Sequence, residues 1–206
     1  MNEEKLAILD NIKKEAIKNH VPILQDVSLE LIEVILSIKR PNKILEIGTA
    51  VGYSAIKFSK YLEGKDSKIK TIEISKDMYN IAKENVKNME LTEKIEIINE
   101  DATKYLETID EKKEQFDVIF IDAAKGQYLV FLENAIRLAK NGAVIIADNV
   151  YFHGRVLSGY NEHRHRTATN RLREYIRIIS EDKRLKSTVL NVGDGVAISV
   201  VNKEIK

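Results

Sequence analysis

Apolar residues recur at helical spacing at the start of the chain, at Leu6, Leu9, Ile12 and Ile17. This predicts an amphipathic helix ending near His20-Val21-Pro22, because proline restricts the residue before it. A second helix is predicted from about Ser28 to Ile38, and Pro41-Asn42 then breaks the chain before Lys43-Ile44-Leu45-Glu46-Ile47, the first predicted strand. From there strand and helix patterns alternate. Further strands are predicted at Ile69 to Ile74, Ile95 to Asn99, Phe116 to Ile121 and Ala143 to Ala147, with helices near Tyr53 to Leu62, Asp77 to Asn88 and Gln127 to Ala139. Such alternation predicts an α/β fold, a mostly parallel sheet with helices on both faces. Ser75 is the expected cap of the helix after the second strand, with Asp77 in its first turn, where the helix dipole favours an anion. After an arginine-bearing helix, Thr188 to Val192 and Val196 to Val200 flank Gly193-Asp194-Gly195 and predict a terminal antiparallel hairpin. With no repeat or linker, the 206 residues suit one domain, residues 1–40 forming a helical extension and 41–206 the core.

Composition narrows the chemistry. The chain is 44% hydrophobic, with no apolar run near the length of a membrane span and a charged amphipathic start in place of a signal peptide, so a soluble cytoplasmic protein with no membrane partner is expected. The absence of cysteine excludes disulfides, thiolate nucleophiles and zinc-thiolate sites, leaving hard, oxygen-ligated metals open. A formal charge of +1 gives no global field for nucleic acid. Arginine is nevertheless concentrated between Tyr151 and Ser180, where Arg155, Arg164, Arg166, Arg171, Arg173 and Arg177 occur with no lysine and only Glu162 and Glu174 as acids.

The strand ends carry the candidate chemistry. Ile119-Phe120-Ile121-Asp122-Ala123-Ala124-Lys125-Gly126 and Ile145-Ile146-Ala147-Asp148-Asn149-Val150 each begin as a buried-strand pattern and end in oxygen-bearing side chains. Asp122, Asp148 and Asn149 should therefore gather at the carboxyl edge of one sheet, a place to hold a hard cation, with the Lys125 amine nearby. The bland alternatives are a solvated lysine starting a helix and a turn or cap at Asp148-Asn149. Upstream, Glu46 to Ala55 (E-I-G-T-A-V-G-Y-S-A) joins strand to helix with Gly48 and Gly52 four apart, which is neither G-x-G-x-x-G nor a P-loop. Glu73 ends the second strand, where an acid can accept both hydroxyls of a ribose, and Asp101-Ala102 ends the third, placed to meet an adenine edge. Each of these residues alone could serve helix packing or a solvated strand end. Their common place at successive strand ends favours a ligand.

In that order and spacing they resemble the class I S-adenosylmethionine-dependent methyltransferases. The resemblance implies a Rossmann-like, seven-stranded, mostly parallel sheet with a carboxyl-terminal antiparallel hairpin. It also implies an S-adenosylmethionine pocket lined by Glu46, Gly48, Gly52, Tyr53, Ser54, Glu73, Asp101, Ala102 and Asp122. Within that superfamily the chain resembles the metal-dependent O-methyltransferases of catechol and caffeoyl-CoA type, through Val21 to Leu24 (V-P-I-L), the glycine segment, D-A-A-K, A-D-N-V and the late Val192 to Gly195 (V-G-D-G). This implies Asp122, Asp148 and Asn149 as ligands of Mg²⁺ or Mn²⁺, Lys125 as general base, and a homodimer. Burial and the adjacent cation would both favour a neutral lysine amine. Lys125 to Tyr128 (K-G-Q-Y) and Arg166 to Arg173 (R-T-A-T-N-R-L-R) are similar to the bacterial tRNA 5-hydroxyuridine methyltransferases, whereas plant caffeoyl-CoA enzymes tend to carry Asp-Asn where Gly126-Gln127 stands.

That resemblance implies methylation of a wobble 5-hydroxyuridine to 5-methoxyuridine in the tRNA anticodon region. The chemistry is consistent, since the 5-hydroxyl lies beside the 4-carbonyl oxygen and the base can chelate a metal much as a catechol does. Arg155, Arg164, Arg166 and Arg171 are the candidate RNA contacts, because guanidinium groups bind phosphate bidentately and stack on unpaired bases. Arg173 and Arg177 suit a solvated face with salt bridges to Glu162 and Glu174, and His153, His163 and His165 lack zinc spacing. The competing expectations are a catechol or phenol O-methyltransferase, a nicotinamide-dependent dehydrogenase and a noncatalytic RNA-binding module.

Overall fold

The structure, a computed structural model, describes residues 3–158 and 163–204. It divides into two compact units, Met1–Ala102 and Thr103–Lys206. The first contains α1 (Glu3–Lys18), α2 (Asp26–Lys39), β1 (Lys43–Ile47), α3 (Tyr53–Phe58), β2 (Lys68–Glu73), α4 (Lys76–Asn88) and β3 (Ile95–Asn99). Its strands are parallel with β2 in the middle, Ile69 lying opposite both Ile44 and Ile95. Ile44, Leu45, Ile47 and Ile69 are fully buried, as expected of strands covered on both faces.

Helix α1 buries Leu9, Ile12 and Ala16, whereas Leu6 and Ile17, expected on its apolar face, are exposed. Its end is set by backbone geometry rather than by Pro22. His20 takes a left-handed φ of 55°, its N–H donates to the Ile17 carbonyl at 3.1 Å, and the Val21 N–H donates to the Ala16 carbonyl at 2.9 Å. This Schellman closure satisfies carbonyls that the last turn would leave open. Glu90, with φ of 57°, closes α4 in the same way. Ser75 caps α4 as expected, its Oγ accepting the Met78 N–H at 3.4 Å. Helix α3 is shorter than its apolar pattern suggests, because the chain tightens into a 3₁₀ turn over Ser59–Tyr61 before extending at Leu62.

Next come α5 (Ala102–Thr108), β4 (Phe116–Ile121), α6 (Tyr128–Leu138), β5 (Ala139–Ala147), α7 (Arg166–Glu181), β6 (Leu185–Leu190) and β7 (Val196–Val201). The sequence pattern gives no sign of α5, whose seven residues bury one side chain, Leu106. In the second unit β5 pairs in parallel with β4, and β7 runs antiparallel to both β5 and β6. Strand β5 begins at Ala139, not Ala143. Phe116 pairs with Ala139 and Val118 with Val144, so extra residues bulge out of β5 near Gly142, whose φ is 74°. The expected hairpin is present, from Leu185 opposite Val201 to Leu190 opposite Val196. Among the described residues no helix is long and apolar enough to cross a membrane.

Gly195 closes the hairpin loop with φ of 87°, and a Cβ built there would lie 2.6 Å from the Tyr151 ring. Gly195→Ala should therefore lower the unfolding free energy by about 1–3 kcal/mol in chemical denaturation. An unchanged midpoint would contradict this packing.

Candidate active site

In the first unit the turn after β1 is folded by carboxylates. Glu73, 9% exposed at the end of β2, accepts the backbone N–H groups of Ala50 at 2.8 Å and Thr49 at 3.3 Å on Oε2, and that of Ser75 at 2.8 Å on Oε1. A carboxylate has about four acceptor positions, so Glu73 fastens the glycine turn and keeps capacity for a ligand hydroxyl. The turn runs through left-handed conformations at Gly48 (φ 100°), Ala50 (φ 48°) and Gly52 (φ 81°), and the Gly52 carbonyl accepts the Ile56 N–H at 3.0 Å to start α3. Asp101, partly buried, lies two residues beyond β3, and Ala102 starts α5.

Among the residues expected to line a cofactor pocket, Glu46 and Ser54 also brace the turn. Glu46 is fully buried, and its carboxylate accepts the Ser54 hydroxyl at 2.6 Å and the Thr71 hydroxyl at 2.5 Å. Burying a charge requires such donors, and the Ser54 and Thr71 hydroxyls supply them. Ser54 commits its hydroxyl to that carboxylate. Tyr53 is 6% exposed, and burial raises its phenol pKa. Thr71 also shares a hydrogen bond of 2.6 Å with Thr49, and the Asn85 side-chain amide donates to the Val51 carbonyl at 2.9 Å. Sequence reasoning missed Thr49, Thr71 and Asn85. The available signal was Thr71, a polar residue directly opposite Glu46 in the register of two apolar strands.

In the second unit, parallel pairing sets Ile121 opposite Ala147, and the Asp148 N–H donates to the Ile121 carbonyl at 3.0 Å. Asp122 and Asp148 therefore leave adjacent strands side by side. Asp148 is 1% exposed, and Asn149 follows in a left-handed conformation (φ 55°) that asparagine tolerates well. The Lys125 ammonium donates to Asp122 Oδ1 at 3.0 Å, to Asn149 Oδ1 at 3.3 Å and to the Asp148 carbonyl at 3.3 Å. Oxygens of all three expected ligands thus surround one cationic atom. The Asp148 oxygen that meets Lys125 is its backbone carbonyl; by residue type, two carboxylates and an amide oxygen suit a hard divalent cation. Among the described residues no group of three or more His, Cys, Asp or Glu is placed to hold a metal.

Sequence reasoning gave Tyr128 no role. It is fully buried; its hydroxyl accepts from Lys125 Nζ at 2.6 Å and donates to the Asp148 carbonyl at 2.8 Å. Burial, then the Asp122 and Asp148 carboxylates, push its phenol well above the usual value, so it stays protonated.

The segment after Asn149 is fastened by Asp194, whose carboxylate accepts the His153 N–H at 2.7 and 2.8 Å while its carbonyl accepts the Tyr151 N–H at 2.9 Å. Arg173 holds the same segment by donating to the carbonyls of Arg155, Val156 and Ser158. Its role is structural as expected, through these backbone carbonyls. Glu162 lies outside the described residues. Arg177 pairs with Glu181 at 2.6 Å, and Arg171, an expected RNA contact, pairs with Glu174 at 3.3 Å. The Arg155 guanidinium lies 5.2 Å from the Phe152 ring centroid, and Arg164 and Arg166 are exposed. His153 is exposed, and His165 meets Phe152 edge-on at 5.6 Å.

Solved proteins share this fold. An O-methyltransferase from Bacillus cereus, solved in complex with SAH, matches with a TM-score of 0.85 at 28% identity, over 95% of this chain and 91% of that one. The seven strands, their helices and the antiparallel hairpin are those of the Rossmann-like class I methyltransferases. Residues 2–202 match the model of the O-methyltransferase family, and the chain belongs to that family. It is 30% identical to tapetum-specific methyltransferase 1 of Arabidopsis thaliana, over 86% of this chain and 76% of the relative. It is also 30% identical to a catechol O-methyltransferase of Niastella koreensis, over 84% and 79%.

Removing the Thr71 hydroxyl would leave the buried Glu46 carboxylate short of a donor. Thr71→Val should cost about 1–3 kcal/mol in denaturant unfolding. Full stability in that variant would show that Glu46 does not depend on the bond.

Proposed function

We propose that this chain transfers a methyl group from S-adenosylmethionine to the 5-hydroxyl of 5-hydroxyuridine at the tRNA wobble position, assisted by Mg²⁺ or Mn²⁺. The observation that carries the reading is the convergence of the Asp122 carboxylate, the Asn149 amide oxygen and the Asp148 backbone carbonyl on Lys125 Nζ at the ends of β4 and β5. Family membership supports the methyl transfer, and the Bacillus cereus relative solved with SAH supports the donor. Glu73 and Asp101 would hold the donor's ribose and adenine, and the glycine turn would admit its backbone-facing side.

Chemically, the acceptor oxygen attacks the sulfonium methyl in line, the carbon–sulfur bond breaks, and the thioether product leaves. The acceptor proton moves to Lys125 Nζ in its neutral form. Asp122, Asp148 and Asn149 would hold the metal, which when bound would act as a Lewis acid toward the acceptor oxygen. For the RNA, support comes from Gly126-Gln127 and from exposed Arg164 and Arg166, with Arg155 beside Phe152 offering a cation and a ring to a nucleobase. Arg171, tied to Glu174, contributes less. A catechol acceptor is the second reading, favoured by the Niastella koreensis relative.

The two are separated by transfer of labelled methyl to tRNA bearing 5-hydroxyuridine and to a catechol panel. The tRNA should be labelled, chelation should stop the reaction, and added Mg²⁺ should restore it. Lys125→Met should lower kcat by about 10²–10⁴-fold. Efficient catechol turnover with unlabelled tRNA would overturn the acceptor.

The proposal includes a homodimer, for which exposed Val27, Val34 and Ile38 along α2 offer an apolar stripe. Val34→Glu should shift sedimentation from dimer to monomer; a monomeric parent protein would refute the pairing.

A further inference from the structure

From the contacts between the hairpin loop and the segment after β5 we infer that Asp194 is a positioning residue for the acceptor, holding the backbone that aims the Phe152 ring. This rests on the reading of Phe152 as an acceptor contact, and it gives a task to the late V-G-D-G motif at Val192 to Gly195. The chain leaves Asn149 through a tight turn, closed by the Phe152 N–H donating to the Asn149 carbonyl at 3.1 Å. Asn149, Phe152 and His153 have left-handed φ of 55°, 50° and 54°. A phenylalanine side chain has no polar atom with which to favour that conformation locally, so the surroundings must hold it.

The hairpin loop supplies the hold. The Gly195 carbonyl accepts the Val150 N–H at 3.0 Å and the Asp194 carbonyl accepts the Tyr151 N–H at 2.9 Å. The Asp194 carboxylate accepts the His153 N–H on both oxygens, at 2.8 and 2.7 Å, and the His153 imidazole lies 3.7 Å from it. Any residue at 194 would offer the carbonyl; the carboxylate is the part of the clasp that needs aspartate. Its side chain is 12% exposed, so water competes little for it. Phe152 thus stands between two residues whose N–H groups are fastened to Asp194. Its half-buried ring has the Arg155 guanidinium 5.2 Å from the centroid and His165 edge-on at 5.6 Å. Return of Phe152 or His153 to the ordinary region, at a φ of about −60°, would swing the ring away from both.

The test combines initial rates, with whichever acceptor the enzyme methylates, and calorimetric binding of S-adenosylhomocysteine. Phe152→Ala should raise the acceptor KM by about 10-fold, the size of one lost stacking contact. Asp194→Ala should raise it by a similar factor, with kcat and S-adenosylhomocysteine affinity changed by less than about threefold, a split that loss of folded protein alone does not produce. With Phe152 already replaced by alanine, Asp194→Ala should add less than about twofold. Asp194→Asn keeps an oxygen for the His153 N–H while dropping the charge, and should keep the native KM. Amide exchange at His153 should quicken by about 10-fold or more in Asp194→Ala and stay slow in Asp194→Asn. If Asp194→Ala does not fold, Asp194→Glu, which displaces the oxygens by one methylene, should show the same rise in KM. A native acceptor KM in Asp194→Ala beside a raised one in Phe152→Ala overturns this inference alone. So do multiplying losses in the double variant, a loss in Asp194→Asn equal to that in Asp194→Ala, or unchanged exchange at His153. A native KM in Phe152→Ala overturns the reading of that ring as an acceptor contact, and the role of Asp194 with it.

Discussion

The register of β4 against β5 is the constraint on which the acceptor chemistry depends. Because Ile121 lies opposite Ala147, the next residue of each strand is an aspartate, and the Asp148 N–H is used to continue the ladder onto Ile121. A slip of one residue would send every side chain of the strand to the other face and part Asp122 from Asp148. The register is protected by apolar side chains that cannot reach water, Ile119, Ile121, Ile145 and Ala147 all being fully buried. It is protected again by Tyr128, whose hydroxyl lies 2.8 Å from the Asp148 carbonyl and 3.4 Å from that of Ile121. Core packing and site geometry are therefore one requirement.

The acidic residues of the two units are used in opposite ways. In the first, Glu46 and Glu73 are buried and turned onto hydroxyl and backbone N–H donors, so their charge shapes the glycine turn. In the second, the Asp122 carboxylate, the Asn149 amide oxygen and the Asp148 backbone carbonyl meet one cation, the Lys125 ammonium. Charges held by fixed donors stabilise a shape, and oxygens gathered on one cation hold that cation in place.

Much of this was legible in the chain. Strands β1, β3 and β4 fall on the predicted residues because buried parallel strands read as uninterrupted apolar runs, and the strand-end aspartates were visible for the same reason. What was hidden has physical causes. Helix α5 is too short for periodicity, and the bulge in β5 follows from pairing with a distant strand. Leu6 and Ile17 fit a helical pattern, yet Ala16 is buried in place of Ile17. Glu46 stood in a motif that suggested ligand contact, and its hydroxyl partners Thr71 and Ser54 come from pairing register and from the helix after the turn. Tyr128 looked like an ordinary helix residue, since the carbonyl that fixes it arrives from the end of β5.

The same limit applies to the acceptor. Membership of the O-methyltransferase family fixes the reaction class, while the proposed RNA substrate rests on a few residues around Gly126 and the arginine segment. The most direct measurement is mass analysis of tRNA nucleosides from cells lacking this protein. The proposal predicts that 5-hydroxyuridine accumulates and 5-methoxyuridine disappears, both reversed by the native chain but not by Lys125→Met. An unchanged 5-methoxyuridine level in cells that lack the protein would contradict it.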